Sequence, residues 1–344
     1  MRLYGAIDLH SNNNVTVLID EQDKVVYEKR LPNDLGLIAQ QLVAYQSSLE
    51  GIVVESTYNW YWLVDGLMDK GHHMHLANTA AIQQYEGLKH TDDTSDARWL
   101  AHILRLGILP EGYIYPKEER AVRDLLRKRG QLVRQRTANL LSIQNLITRN
   151  TGSSMSSNRI KTLQPQQVDE LLADGDLVLA VKANVAMVQC ANGQIEILER
   201  TVRDRIKPRP EFCFLKTVPG IGQTLALTIM LETGDIARFA GVGNYASYCR
   251  CVGSQKLSNG KKKGKGNTKN GNKYLSWAFV EAANCAIRLK AHRDQHIGLL
   301  YHRLFPAKGH GRAAVAVARH LAEASYWVLR KKQHYRAPQS RIAG

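Results

Sequence analysis

"RLYGAIDLHSNNNVTVLIDEQDKVVYEKRL", Arg2 to Leu31, is the stretch on which the reading of this chain turns. Apolar and polar residues alternate through "RLYGAIDLH", "NVTVLID" and "KVVYEKRL", with short polar turns between them. Alternation of period two sends successive side chains to opposite faces of a pleated strand, so the segment predicts a meander of three strands. Outward from it, "LGLIAQQLVAYQSSL" (35–49) carries apolar residues at helical spacing, and "GIVVES" (51–56) is apolar enough for a strand buried on both faces. "YNWYWLVDGLMDKG" (58–71) predicts a helix ending at Gly71, "HHMHLAN" (72–78) a fifth strand, and "TAAIQQY" (79–85) the start of another helix. "SDARWLAHILRLG" (95–107) closes the series as a helix.

Three strands, helix, strand, helix, strand, helix is the order of a ribonuclease H-like α/β domain with a mixed sheet. From Lys117 to about Asn150 the pattern becomes one long helix, with apolar residues at Val122, Leu125, Leu126, Leu132, Val133, Leu140, Ile143 and Ile147. Eight Lys or Arg lie between Lys117 and Arg136, either a solvated face or a face laid along nucleic acid. "TGSSMSSN" (151–158) breaks this helix, and a second helical stretch over 165–205 is expected to pair with it as a coiled coil. The prolines of "KPRPE" (207–211) stop any helix there. The expected division is 1–115 as an α/β domain, 116–207 as a helical region and 208–344 as a mostly helical domain.

The 344 residues hold 47 Lys+Arg against 31 Asp+Glu, a formal charge of +16. Such a surplus points to polyanionic partners, above all nucleic acid. No apolar run approaches the ~18 residues that span a bilayer, and no basic amphipathic helix suggests a membrane surface. The N-terminus enters a strand rather than a secretory leader, and five cysteines at irregular spacing fit a reducing, cytoplasmic setting. "CRC" (Cys249, Cys251) lacks zinc-knuckle spacing and reads as buried thiols; "HHMH" (His72, His73, His75) reads as strand.

Against that basic background, Asp92, Asp93 and Asp96 crowd into five residues. One acid suffices to cap a helix, and Asp92 takes that part. Asp93 and Asp96, three apart, lie on one helical face. In the ribonuclease H-like order Asp8 occupies the first strand and Glu55 the end of the fourth, at neighbouring positions, so Asp8, Glu55, Asp93 and Asp96 converge. Four carboxylates cannot all ionise in a pocket without cations, and hard oxygen ligands suit Mg2+. A pair of such ions clamps the attacking and leaving oxygens of a phosphoryl transfer.

A second signal is "VPGIGQTLAL" (218–227), which resembles a helix-hairpin-helix. Gly220 and Gly222 allow close backbone approach, and the amides of Gly222, Gln223 and Thr224 open a helix suited to a phosphate. In "SQKLSNGKKKGKGNTKNGNK" (254–273), Lys261, Lys262, Lys263, Lys265 and Lys269 sit among Gly and Asn. This composition reads as a flexible basic loop that orders on nucleic acid.

"AIDLH", "VVES" and "DDTSDAR" resemble the Asp, Glu, Asp-x-x-Asp signature in the RuvC-like domain of the DEDD insertion-sequence transposases, the IS-one-ten and IS-eleven-eleven group related to the Piv invertase. The segment from "LKTVPGIG" to "CRCVG" (215–253) resembles the C-terminal domain of that family. The resemblance implies a metal-dependent DNA recombinase acting on donor and target DNA, guided by a bridge RNA and working as a homo-oligomer, dimer or tetramer. It also implies a serine nucleophile followed by glycines and basic residues. Ser258, before "NGKKKGKG", takes that place; Asn259 departs from the common glycine and leaves Ser254 as a rival. Two other readings stay open: a junction-type nuclease using the acids and water, and a non-catalytic nucleic-acid-binding protein.

Overall fold

Alternation in the first 32 residues produces β1 (Leu3–Leu9), β2 (Asn13–Ile19) and β3 (Val25–Pro32). β1 pairs antiparallel with β2, which pairs antiparallel with β3. On its other edge β1 lies parallel to β4 (Leu49–Glu55), and β4 parallel to β5 (Met74–Ala77), giving the order β3-β2-β1-β4-β5. α1 (Leu35–Leu42), α2 (Tyr61–Met68) and α3 (Asp93–Arg105) complete this part of the chain. A mixed five-stranded sheet with helices on both faces is the arrangement of a ribonuclease H-like α/β fold. The computed structural model describes residues 1–82, 92–206, 209–254, 256–264 and 270–338. The chain divides into two units, Met1–Lys117 and Glu118–Gly344.

The strand period sorts the first unit into two cores. Ile7, Leu9, Leu18, Ile52 and Val54 face α1 and α2, with Ile38, Leu42 and Leu63 buried against them. Ala6, Val15, Val17 and Val53 face the other way, against Ala97, Leu100, Ala101 and Ile103 of α3. Two expected helices are shorter than their apolar pattern suggested. The stretch 35–49 leaves the α-helix after Leu42 and tightens into a 3-10 segment, Val43–Ser48, that delivers the chain to β4. Thr79–Ile82 form a turn instead of a helix. Asn78 O accepts from Ala81 N at 2.9 Å, while Asn78 N is held by Pro110 O at 2.8 Å. That extended attachment competes with helix formation, and residues 83–85 of the stretch lie outside the described residues.

In the second unit the long basic helix is α4 (Lys117–Thr151). After a short α5 (Ser157–Lys161), the stretch 165–205 is divided into α6 (Pro165–Leu171) and α7 (Gly175–Arg205). The break falls where Leu172 is extended and Asp174 caps α7, accepting from Asp176 N and Leu177 N at 3.0 Å. Arg129 meets Glu199 and Arg136 meets Asn192, both at 2.8 Å, and Asn184 reaches Ser142 at 3.3 Å. Partners that rise on one helix as they fall on the other define an antiparallel pair. Leu140, Ile143 and Ile147 share a core with Ile160, Val168, Val181 and Val185.

The remainder comprises α8 (Pro210–Leu215), α9 (Gln223–Thr233), α10 (Val242–Tyr248), β6 (Lys256–Ser258), β7 (Lys261–Gly264), α11 (Lys273–Arg288) and α12 (His296–Lys331). α12 is broken at Gly309, where φ is 71°. Ala278, Ala282, Ala283 and Ala286 of α11 bury in one core with Val317, Ala318, Leu321 and Ala322 of α12. Such small side chains let two backbones approach closely. Cys249 and Cys251 are buried in the same core, and burial pushes the Cys251 thiol up to about 12.

Candidate active site

β1 alternates, so Asp8 points to the same face as Ala6, toward α3. By the same parity Glu55 follows Val53 to that face at the end of the parallel strand β4. α3 begins there with Asp93 and Asp96 in its first turn, behind a capping box in which Ser95 N donates to Asp92 Oδ1 at 2.7 Å. The opening acidic cluster thus separates into a cap, Asp92, and two acids turned to the sheet. Burial, with Asp93 and Asp96 adding to it, raises the Asp8 carboxyl above its ordinary range against the pull of His10 and Arg30. Burial, Asp8 and Asp96 raise Glu55 as well. Asp8 therefore lies within electrostatic reach of Asp93, Asp96 and Glu55, and Glu55 within reach of Asp96.

An imidazole and a guanidinium intrude that the sequence did not point to. His10 Nε2 lies 3.1 Å from Asp8 Oδ2 and 3.2 Å from Asp93 Oδ2. Arg30 Nη2 donates to Asp93 Oδ2 at 2.6 Å and Nη1 to Asn13 Oδ1 at 2.7 Å, and the Arg30 bond is foremost in holding Asp93 below the usual range. Asn33 and Asn59 fix the backbone at His10, donating to its carbonyl at 3.0 and 2.8 Å. Asp8, His10 and Asp93 offer one ligand atom each within 4.8 Å of one another, the single such group among the described residues. The signals were present in "DLH", where His10 shares the parity of Asp8, and in "EKR", where Arg30 pairs in register with Val15. Neither stands out without the sheet register.

The second unit carries the other candidates. Gly220 has φ of 77°, and a Cβ there would strike the backbone of Ala282 on α11. Its glycine is required by conformation and packing alone. Gly222 caps α9, with open space where its side chain would be, and Gln223 and Thr224 form the first turn of that helix. Helices α8 and α9 flank the Gly-Ile-Gly turn.

The basic loop is more ordered than its composition predicted. Ser258 pairs with Lys261 across a two-residue connection in which Asn259 and Gly260 have φ of 49° and 71°. Positive φ at both central positions makes a type I′ hairpin turn, and Asn-Gly is its favoured sequence. Ser258, Lys261 and Lys263 are exposed on this hairpin, Ser254 precedes it, and Lys262 lies in β7. Lys265 and Lys269 lie outside the described residues. Downstream the loop is anchored: Gly271, φ 90°, packs under Tyr248 O, and Asn272 N donates to the same carbonyl at 2.6 Å. Asn272 then caps α11 and donates from Nδ2 to the buried Glu232 at 2.7 Å.

Comparison with known proteins agrees with both halves. Residues 6–151 match the model of the DEDD transposases of IS110 type, described as "Transposase". Residues 214–297 match the model described as "Transposase IS116/IS110/IS902 family". The chain is 24% identical over 284 residues to a probable family 20 transposase of Pseudomonas aeruginosa PAO1, covering 80% of this chain and 82% of that protein. It is 24% identical over 328 residues to the transposase for insertion sequence element IS1111A of Coxiella burnetii, covering 92% and 87%. No helix among the described residues is long and apolar enough to cross a membrane. With the acidic signature on a ribonuclease H-like sheet and the distal domain matched in the same chain, the protein belongs to the IS110 family of DEDD transposases.

Proposed function

We propose that this transposase cuts and rejoins the DNA of an insertion sequence through a covalent phosphoserine. The observation carrying the reading is the gathering of Asp8, Glu55, Asp93 and Asp96 on one face of the sheet, in a chain that also bears an exposed serine at a basic hairpin. Asp8, Glu55, Asp93 and Asp96 are the residues that would hold Mg2+. Their carboxylate oxygens suit a hard cation, and the charge balance asks for one: four acids face one guanidinium and one imidazole. A bound Mg2+ would polarise a phosphoryl oxygen and ease departure of the leaving oxygen. Until then Arg30 and His10 hold Asp93 and Asp8 in place.

In the proposed step Ser258 Oγ attacks phosphorus, the Oγ–P bond forms, and one P–O bond of the phosphodiester breaks to leave a free hydroxyl on the other strand end. The serine proton leaves to solvent or a nearby base. The phosphoserine keeps the bond energy of the cleaved diester, so a strand hydroxyl can reverse the attack without an external energy source. The type I′ turn supports this by fixing Ser258 beside two exposed lysines, Lys261 and Lys263, suited to flanking phosphates. Gly222, Gln223, Thr224, Lys261, Lys262, Lys263, Lys265 and Lys269 are proposed phosphate contacts; for Gly220 the packing on Ala282 suffices. A guide RNA pairing with donor and target DNA, and an oligomer joined through α4 and α7, complete the proposal.

The test is a nicked suicide substrate with adduct mapping by peptide mass. An adduct on Ser258, lost in Ser258→Ala while DNA binding persists, supports the reading. An adduct on Ser254 moves the nucleophile, and cleavage without any serine adduct favours a nuclease that uses water.

A further inference from the structure

A cavity of 310 Å³ lies within the second unit, where α4, α9 and α11 meet, away from the serine hairpin in sequence. Its walls include Arg123, Arg127 and Arg134 from α4, with Lys273, Tyr274 and Trp277 from α11. The α4 residues recur four and seven apart, one face of that helix. Against four cations the cavity has one acid, Glu232, already engaged by Arg127 through hydrogen bonds of 2.6 and 2.8 Å. That bidentate pair holds the Arg127 guanidinium over the Tyr274 ring, 4.4 Å from its centroid. Trp277, at 37% exposure, offers a second flat apolar face.

Gly130 adds an independent indication. It lies inside a 35-residue helix, where glycine is among the poorest formers. A Cβ there would meet only the end of Arg134, at an ordinary 3.7 Å, so packing does not demand glycine. What the missing side chain preserves is space in the cavity.

We propose that this cavity holds one unpaired nucleotide of a nucleic-acid strand, its phosphate among the arginines and Lys273 and its base against Trp277 or Tyr274. A cationic wall alone would take any anion, and an aromatic wall alone any apolar group. Together they match a ligand that is charged at one end and flat at the other. A base within a duplex has both faces stacked, so only an unpaired base can enter. The proposal rests on the reading of the protein as a nucleic-acid enzyme, and adds a specific strand site to it.

The test measures binding of the full-length protein to oligothymidylate and to a fully abasic strand of equal length. The variants are Trp277→Ala, which removes an exposed ring, and Gly130→Met, which fills the cavity with a better helix former. Stacking of one base predicts that wild type prefers the base-bearing strand by about tenfold more than either variant does. Gly130→Met should keep its melting temperature and should lose more affinity for the base-bearing strand than for the abasic one. An unchanged preference in both variants would overturn the cavity while leaving the enzyme reading intact. Failure of wild type to bind either strand would overturn both. Thymidine monophosphate is the remaining arm. Saturable quenching of Trp277 by the mononucleotide, with no change of strand preference in the variants, would show a free-nucleotide site and refute the strand site.

Discussion

Removal of Glu232 should be among the most destabilising single changes in the second unit. Its side chain is 3% exposed and accepts three hydrogen bonds, two from Arg127 and one from Asn272 Nδ2 at 2.7 Å. Breaking a buried ion pair by deleting one partner costs about 3–5 kcal/mol, because the other charge is left stranded. Here the Arg127 side chain is 28% exposed and can recover some water, which places the estimate near the lower end. Asn272 adds roughly 1 kcal/mol, since its amide loses a partner while it still caps α11. The expected cost of Glu232→Met is thus about 3–4 kcal/mol, measured by urea unfolding of the full chain. Arg127→Met should cost at least as much as Glu232→Met, because it strands a carboxylate that is only 3% exposed, although Asn272 Nδ2 still donates to it. The double variant should cost well under the sum of the two, with a coupling of at least about 1.5 kcal/mol. Strict additivity, or a Glu232→Met cost below about 1 kcal/mol, would refute the view that this network organises α4, α9 and α11.

Gly220→Ala should destabilise the distal core by more than about 2 kcal/mol, since a Cβ would enter the Ala282 backbone at a positive φ; Gly222→Ala, at the N-cap of α9 but in open space, should cost no more than about 1 kcal/mol. In metal-free protein Asp8→Asn should raise the melting temperature at neutral pH. A carboxyl whose folded pKa is raised binds its proton more tightly in the fold, so stability falls as pH rises from the ordinary carboxylate range through the raised value, and the amide removes that loss. With Mg2+ the order should invert, and a variant that gains nothing without metal and loses nothing with it would remove the acidic site. Replacing Lys261, Lys262 and Lys263 with Ala should flatten the dependence of log affinity on log salt by about 0.7 to 0.9 per lost phosphate contact. An unchanged slope would place the hairpin away from DNA.

The strands were legible in the sequence because their signals are local: β1 to β3 carry a period-two alternation in a few residues, and β4 a short apolar run. The face that Asp8 and Glu55 take was legible too, since parity of Asp8 with Ala6 and of Glu55 with Val53 follows from strand geometry alone. Asp92 as a cap could be read from a four-residue window. Other features had a local signal that went unused. Asn259-Gly260 is a hairpin dipeptide, but the surrounding lysines and glycines made the stretch read as a flexible loop. The Asp174-Gly175 break likewise lay hidden within an otherwise helical period.

Tertiary structure decided what depends on partners far apart in sequence. His10 and Arg30 meet Asp93 only because β3 is two strands from β1 and α3 crosses that face, a relation of 63 residues for the Arg30 bond. Glu232, Arg127 and Asn272 share no local pattern, and 105 residues separate the first two. That Gly220 also packs on the α11 backbone is seen only in the tertiary structure. Sequence periodicity reports which side of an element is apolar, since that follows from the pitch of one helix or strand. It cannot report which polar side chains meet across elements, because that depends on the packing of the elements against one another.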